Sequence, residues 1–314
     1  MFPLNFRIIF LLFLVFYSLP AYAQYSYKTI LSNNLKRIYR IYLPQSFSLN
    51  EHLPVVIVLH GGGSSGKRMS NYIKLHSVAD KNRFIAVFPD GVRGNWNDGR
   101  KNIDSYAHLN NINDVMFISD IISNLQKEFN IDSNSVFITG ISNGSLMAFR
   151  LAFEIPGKIR AIATVAGNLP HELKNFTLDK KLPLLMINGE NDPVMPWNGG
   201  GIGWGFPKRG NVLSSEETFT FWSKENGCNE HGKYTQEADI SNDGTKVFKK
   251  EALNCPGNIE VLLYKIQNGG HSWPGAFEYL LQERFVGKTS YDIDAKEIIW
   301  TFFKKYIKPL PKIK

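Results

Sequence analysis

The pentapeptide Gly140-Ile141-Ser142-Asn143-Gly144 lies between an apolar, β-branched run at 135–139 and a helix-like stretch at 145–154. A G-x-S-x-G sequence between a strand and a helix is a nucleophile elbow, a sharp turn that exposes a serine hydroxyl above the sheet. Glycine at both ends removes the Cβ atoms that would collide in so tight a corner. The pattern demands a buried strand in front and a helix behind. It makes Ser142 the candidate nucleophile.

The rest of the chain supplies the layers such a corner needs. Strands are predicted at 35–43, 54–59, 84–88, 161–165, 182–187 and 260–266, and helices at 68–81, 214–224 and 295–306. The segment 114–129 is helical by period, since Val115, Ile118, Ile121, Ile122, Leu125 and Phe129 recur at three- and four-residue steps. Asp243-Gly244 marks a hairpin. Apolar strands alternating with helices predict an α/β fold, a mostly parallel sheet covered on both faces, in one domain over 24–314. Reactive groups in such sheets gather at the carboxyl ends of the strands.

Residues 1–23 read as a secretory signal peptide: Arg7, an apolar run at 8–16, then Ala21-Tyr22-Ala23 as a cleavage site. The mature protein is therefore expected in the periplasm or outside the cell, with no stable membrane span after cleavage. Cys228 and Cys255 are the only cysteines, and an even pair in an exported chain reads as a disulfide. The net charge of +8 is scattered, with no basic run interleaved with aromatics, which argues against a nucleic-acid partner. Residues 61–67 read G-x-x-x-x-G-K, yet Arg68 stands where a phosphate loop needs a hydroxyl. No metal or cofactor is called for, and the sequence leaves the oligomeric state open.

A neutral hydroxyl needs a base, and the base needs an orienting carboxylate. Downstream of Ser142 stand His171, His231 and His271; the last follows the final strand in a loop rich in glycine and proline. That loop can return an imidazole over the elbow, so His271 is the candidate base. Asp192, where the chain leaves the strand at 182–187, is the candidate acid, with Glu190 as rival. An oxyanion hole needs two backbone donors. They are predicted to be the Asn143 amide and that of Gly62 or Gly63, in the turn His60-Gly61-Gly62-Gly63. His60 is read as a brace for that turn. Trp96, Trp197 and Trp273, with Trp204 and Phe206, are candidates to wall an aromatic acyl or sugar pocket.

His60 to Gly63, Phe88-Pro89-Asp90-Gly91, Trp96-Asn97, Asn113-Asp114-Val115, Gly140 to Gly144, Asp192 to Pro196 and Gly269 to Gly275 occur in this order. As a set they resemble the secreted polyhydroxybutyrate depolymerase-like esterases, α/β-hydrolases related to feruloyl and acetylxylan esterases. The resemblance spans about 38–276. It implies a Ser142–Asp192–His271 triad, a disulfide near the last two strands, and an ester substrate that can be polymeric. Asn188 departs from the histidine that family members often carry there. The expected activity is a serine carboxylesterase acting on feruloyl or acetyl esters of polysaccharides, or on short hydroxyalkanoate esters. The alternatives are an exported serine peptidase on the same fold and a non-catalytic glycan-binding relative.

Overall fold

The computed structural model describes residues 24–101, 103–203, 209–277 and 283–307. The leader reading for 1–23 and the aromatic residues Trp204 and Phe206 lie outside them. The chain opens with β1 (Gln24–Ser32), β2 (Leu35–Leu43), β3 (Val55–Leu59), α1 (Gly66–Ile73), α2 (His76–Asn82) and β4 (Ile85–Pro89). Next come α3 (Tyr106–Leu109), α4 (Asp114–Glu128), β5 (Val136–Ile141), α5 (Asn143–Glu154), β6 (Ala161–Val165) and β7 (Leu184–Gly189). The last part holds β8 (Gly200–Gly201), β9 (Asn211–Val212), α6 (Ser215–Glu225), β10 (Glu230–His231) and β11 (Thr235–Gln236). It closes with β12 (Lys246–Leu253), β13 (Val261–Gln267), α7 (Glu283–Val286) and α8 (Ala295–Lys304).

The main sheet runs β1-β2-β4-β3-β5-β6-β7-β13-β12-β10, with β11 beside β12. Its centre, β4 through β13, is parallel, and antiparallel strands flank it on both sides. Every residue of β3, β5, β6 and β7 is buried, as a parallel sheet covered on both faces requires. Alternation within each strand then divides the core. Val55, Ile57 and Leu59 pack with α4, α5 and α6, whereas Val56 and Val58 pack with α1, α2 and α8.

Three elements depart from expectation. The single helix predicted at 68–81 is two, because Lys74 turns left-handed at φ 49° and its N–H closes on Ser70 O. β1 and β12 carry no alternation that the sequence reading recognised; β12 reads KVFKKEAL, and it is a strand because β13 pairs along it in register. The hairpin marked by Asp243-Gly244 is present: the connection through it joins β11 to β12, which pair antiparallel, and Asp243 Oδ1 accepts from the Thr245 amide. Among the described residues no helix is long and apolar enough to cross a membrane.

One buried ion pair ties the loops above the sheet. Arg37 on β2 donates to Asp114 at the start of α4 at 2.7 Å and to Asp90 O, with its guanidinium over the Phe117 ring. The second Asp114 oxygen accepts from the Asn97 amide at 2.8 Å. Burial pushes the Asp114 carboxyl up, and Arg37 pulls against it.

Cys228 and Cys255 are disulfide-bonded, joining the end of α6 to the chain beyond β12 across 27 residues. Removing the bond, by replacing both cysteines with serine, is expected to cost roughly 3–4 kcal/mol through restored loop entropy. Urea unfolding of the double variant checks this; an unmoved midpoint would mean that the bond constrains nothing.

Candidate active site

The corner after β5 is the origin of the site. Ser142 sits between β5 and α5 at φ 57° and ψ −125°, and its N–H donates to Val165 O at 3.0 Å. A Cβ at Gly144 would stand 2.3 Å from Leu59 O, and one at Gly140 would stand 2.7 Å from the Gly144 carbonyl carbon. Only glycine lets the corner pass so closely over the end of β3.

The end of β3 carries the other half of the site. His60 is fully buried; its Nδ1 donates to Gly61 O at 2.8 Å and its Nε2 accepts from the Gly91 amide at 2.9 Å. Burial pushes its pKa down, so the neutral ring is favoured, and both nitrogens brace the turn. The Gly63 N–H already donates to Gly94 O at 2.8 Å. Of the two glycines expected to face an oxyanion, that leaves Gly62. The Gly63 candidacy is corrected: its donor is turned into the loop.

The Asn143 side chain is buried and points away from the cleft. Its Oδ1 accepts from the Trp96 amide at 2.8 Å, and its Nδ2 donates to Trp96 O and to Asp98. Its own N–H is the first of α5 and belongs to the orphan donors of a helix N-terminus. Asp98, absent from the sequence reading, is completely buried and also accepts from Arg100 Nε and Nη2 and from His108 Nε2. Burial alone would raise its pKa; Arg100 and His108 overturn that and hold the carboxyl well below the ordinary range. In the sequence Asp98 looks like any polar loop residue, since its partners Arg100, His108 and Asn143 meet it only in the fold.

On the other side of Ser142, the end of β7 and the loop after β13 meet. Asp192 Oδ1 accepts from the Val194 and Met195 amides at 2.7 Å each, and Oδ2 faces His271 Nδ1 at 2.7 Å. Glu190, the rival acid, pairs instead with Lys265 at 3.4 Å. Glycine again permits the approach, since a Cβ at Gly189 would stand 2.4 Å from Gly269 O. His171 bonds Lys174 and His231 lies edge-on to Phe219, so neither shares this arrangement. Asn188, the departure noted in the sequence, is buried and donates to Asn168 Oδ1 and Ser215 Oγ.

Ser142, Asn143, Gly62 and His271 line one cavity of about 560 Å³. Its described walls are mixed: Leu146, Val194, Met195 and Ile202 are aliphatic, while Asn95, Arg100, Asp104, His108 and Arg209 are polar or charged. Among the described residues the Ser142 hydroxyl makes no hydrogen bond to the His271 ring, an arrangement common before substrate binds.

The three tryptophans expected to wall the pocket do not. Trp96 is fully buried under the oxyanion turn, with its ring over His60 and Nε1 donating to His60 O. Trp273 is buried in the core on the α8 side, and its amide donates to the Tyr72 hydroxyl. Trp197 is half-buried against the opposite core. Among the described residues no group of three or more metal-ligating side chains could hold a metal ion.

The Phospholipase/Carboxylesterase family matches residues 48–201. A Nocardia uniformis subsp. tsuyamanensis protein named as the esterase NocK is 28% identical over 76% of this chain and 71% of its own. Feruloyl esterase B of Piromyces equi is 26% identical over 73% of the chain, which spans only 41% of that enzyme. The acetyl xylan esterase of Aspergillus awamori shares the fold with a TM-score of 0.59 at 14% identity, covering 88% of this chain and 99% of that one. The chain has the α/β-hydrolase fold, is similar to these esterases and feruloyl esterases, and is an enzyme of the carboxylic ester hydrolase class.

Asp98→Asn leaves Arg100 buried without its counter-charge and is expected to cost about 3 kcal/mol at pH 7. Because the folded carboxyl titrates below its ordinary 3.8, its contribution is complete above that value and fades as pH falls through the lower folded value. Urea unfolding of both proteins should therefore show a gap at pH 7 that narrows in acid. A gap that widens in acid would contradict the assigned direction.

Proposed function

We propose that this chain is a secreted serine carboxylesterase in which Ser142, His271 and Asp192 act together, with the Asn143 and Gly62 amides as the oxyanion hole. The observation that carries the reading is the Asp192 carboxylate. A turn-capping aspartate explains the two amides on Oδ1, but it does not explain an imidazole aligned on Oδ2 beside the Ser142 cavity.

In this reading Asp192 accepts a hydrogen bond from Nδ1–H and keeps Nε2 free to take the Ser142 proton. The Ser142 oxygen attacks the ester carbonyl, and the negative charge that develops on the carbonyl oxygen is held by the two amides. Collapse breaks the ester C–O bond, His271 returns its proton to the departing alcohol, and an acyl-enzyme remains. Water then attacks the acyl carbonyl, losing a proton to His271; the bond to the Ser142 oxygen breaks, His271 returns that proton to the oxygen, and the acid leaves. Asp192 stays ionised throughout and stabilises the imidazolium.

The relatives named as feruloyl esterases, and the structural neighbour named as an acetyl xylan esterase, support polysaccharide-linked feruloyl or acetyl esters as substrates. Short hydroxyalkanoate esters fit the same machinery. The described lining of the Ser142 cavity offers no Phe, Tyr or Trp ring to stack on a feruloyl group, so acetyl and hydroxybutyryl are placed ahead of feruloyl. Export is supported by the disulfide and by the leader-like sequence at 1–23.

Ser142→Ala is expected to lower kcat for p-nitrophenyl acetate on the order of 10⁶-fold. The melting temperature should not move, and a fluorophosphonate probe should label only the parent protein. Full activity in the variant would end the reading. Across acetylated xylan, hydroxybutyrate oligomers and methyl ferulate, kcat/KM for one of the first two should exceed that for methyl ferulate by about tenfold or more.

A further inference from the structure

His271 borders a second cavity, of about 660 Å³, beside the one that holds Ser142. Tyr72, Ile141, Ser272 and Phe277 are among its walls, and Arg68 and Lys74 lie on it. Arg68 is on α1, where its Nη1 donates to Gly63 O at 3.4 Å and so holds the guanidinium near the oxyanion turn. Lys74 is the left-handed residue that ends the same helix. Among the described residues lining this cavity there is no carboxylate and no oxyanion donor.

We infer that this second cavity receives the alcohol half of the ester, and that the alcohol carries a carboxylate. The inference rests on the serine-esterase reading above. The departing alcohol oxygen must lie within hydrogen-bond reach of His271, the group that reprotonates it. The first cavity already contains Ser142, the Asn143 and Gly62 amides of the proposed oxyanion hole, and Leu146, Val194, Met195 and Ile202 for an acyl group to pack on, with Arg100 and Arg209 also on its wall. The alcohol therefore extends along the other cavity that the imidazole borders. Two cations with no carboxylate among the described lining create a positive potential that concentrates anions there. The Tyr72 and Phe277 rings add flat apolar faces against which a sugar ring or a short carbon chain packs. A uronic-acid unit of an acidic polysaccharide and a hydroxy acid share this chemistry.

The test is steady-state kinetics on two matched pairs, for the parent protein and the R68Q/K74Q double variant. One pair is acetylated methyl glucuronoside against acetylated methyl glucoside. The other is the hydroxybutyrate dimer as free acid against its methyl amide. In the parent, the anionic member of one pair should show a kcat/KM about fivefold or more above its neutral partner, mainly through KM. That ratio should fall towards one in the double variant and also in about 1 M salt. The pair that shows it distinguishes an acidic polysaccharide from a hydroxy acid. A parent ratio at or below one in both pairs, or a ratio that survives the double substitution, overturns the inference. Hydrolysis of the neutral members in either case leaves the esterase reading intact, whereas no hydrolysis of any member removes both.

Discussion

The close passage of the β5–α5 corner over the end of β3 is the constraint on which the site depends. Leu59 O lies where a side chain at Gly144 would have to begin, so the corner exists only with glycine there. Three consequences follow from that one contact. Ser142 is held at a positive φ on the wall of the cleft, and Asn143, the first residue of α5, lines the same cavity. The turn His60 to Gly63 is brought alongside, so donors from two distant segments can face one oxygen.

Around this corner the loops are held by buried polar groups rather than by apolar packing. His60 uses both ring nitrogens to pin Gly61 and Gly91, Asp98 gathers Arg100, His108 and Asn143, and Asp114 joins Arg37 to the Asn97 amide. Such networks are stiff when every member is satisfied, and a missing partner leaves a buried charge exposed to its full desolvation cost. The Asp98 cluster is notable for what it spans: it reaches from the residue after Ser142 to the cationic wall of the cleft.

The opposite side of the site is built from loops that touch because their backbones are bare. Gly189 and Gly270 allow the chain after β7, the loop after β13 and the segment near α7 to stack without side chains between them. Asp192 and His271 meet across that stack, 79 residues apart in the chain. His271 thereby borders two cavities, one that also holds Ser142 and has Arg100 and Arg209 on its wall, and one with Arg68 and Lys74 on its wall.

By itself the sequence determined what local sterics and period decide. The elbow, the buried strands at 54–59, 161–165 and 182–187, the capped helix after Ser214, and the α/β layering were legible because each is set within a few residues. Which of three histidines meets which carboxylate, and that Gly63 rather than Gly62 has its amide engaged, were decided only by tertiary structure. The same holds for Asp98 and for the burial of Trp96 and Trp273. These depend on partners tens of residues away, and a residue's identity does not state its distance from another chain segment. A tryptophan can wall a cleft or brace a turn with equal chemical fitness; the folded backbone alone chooses.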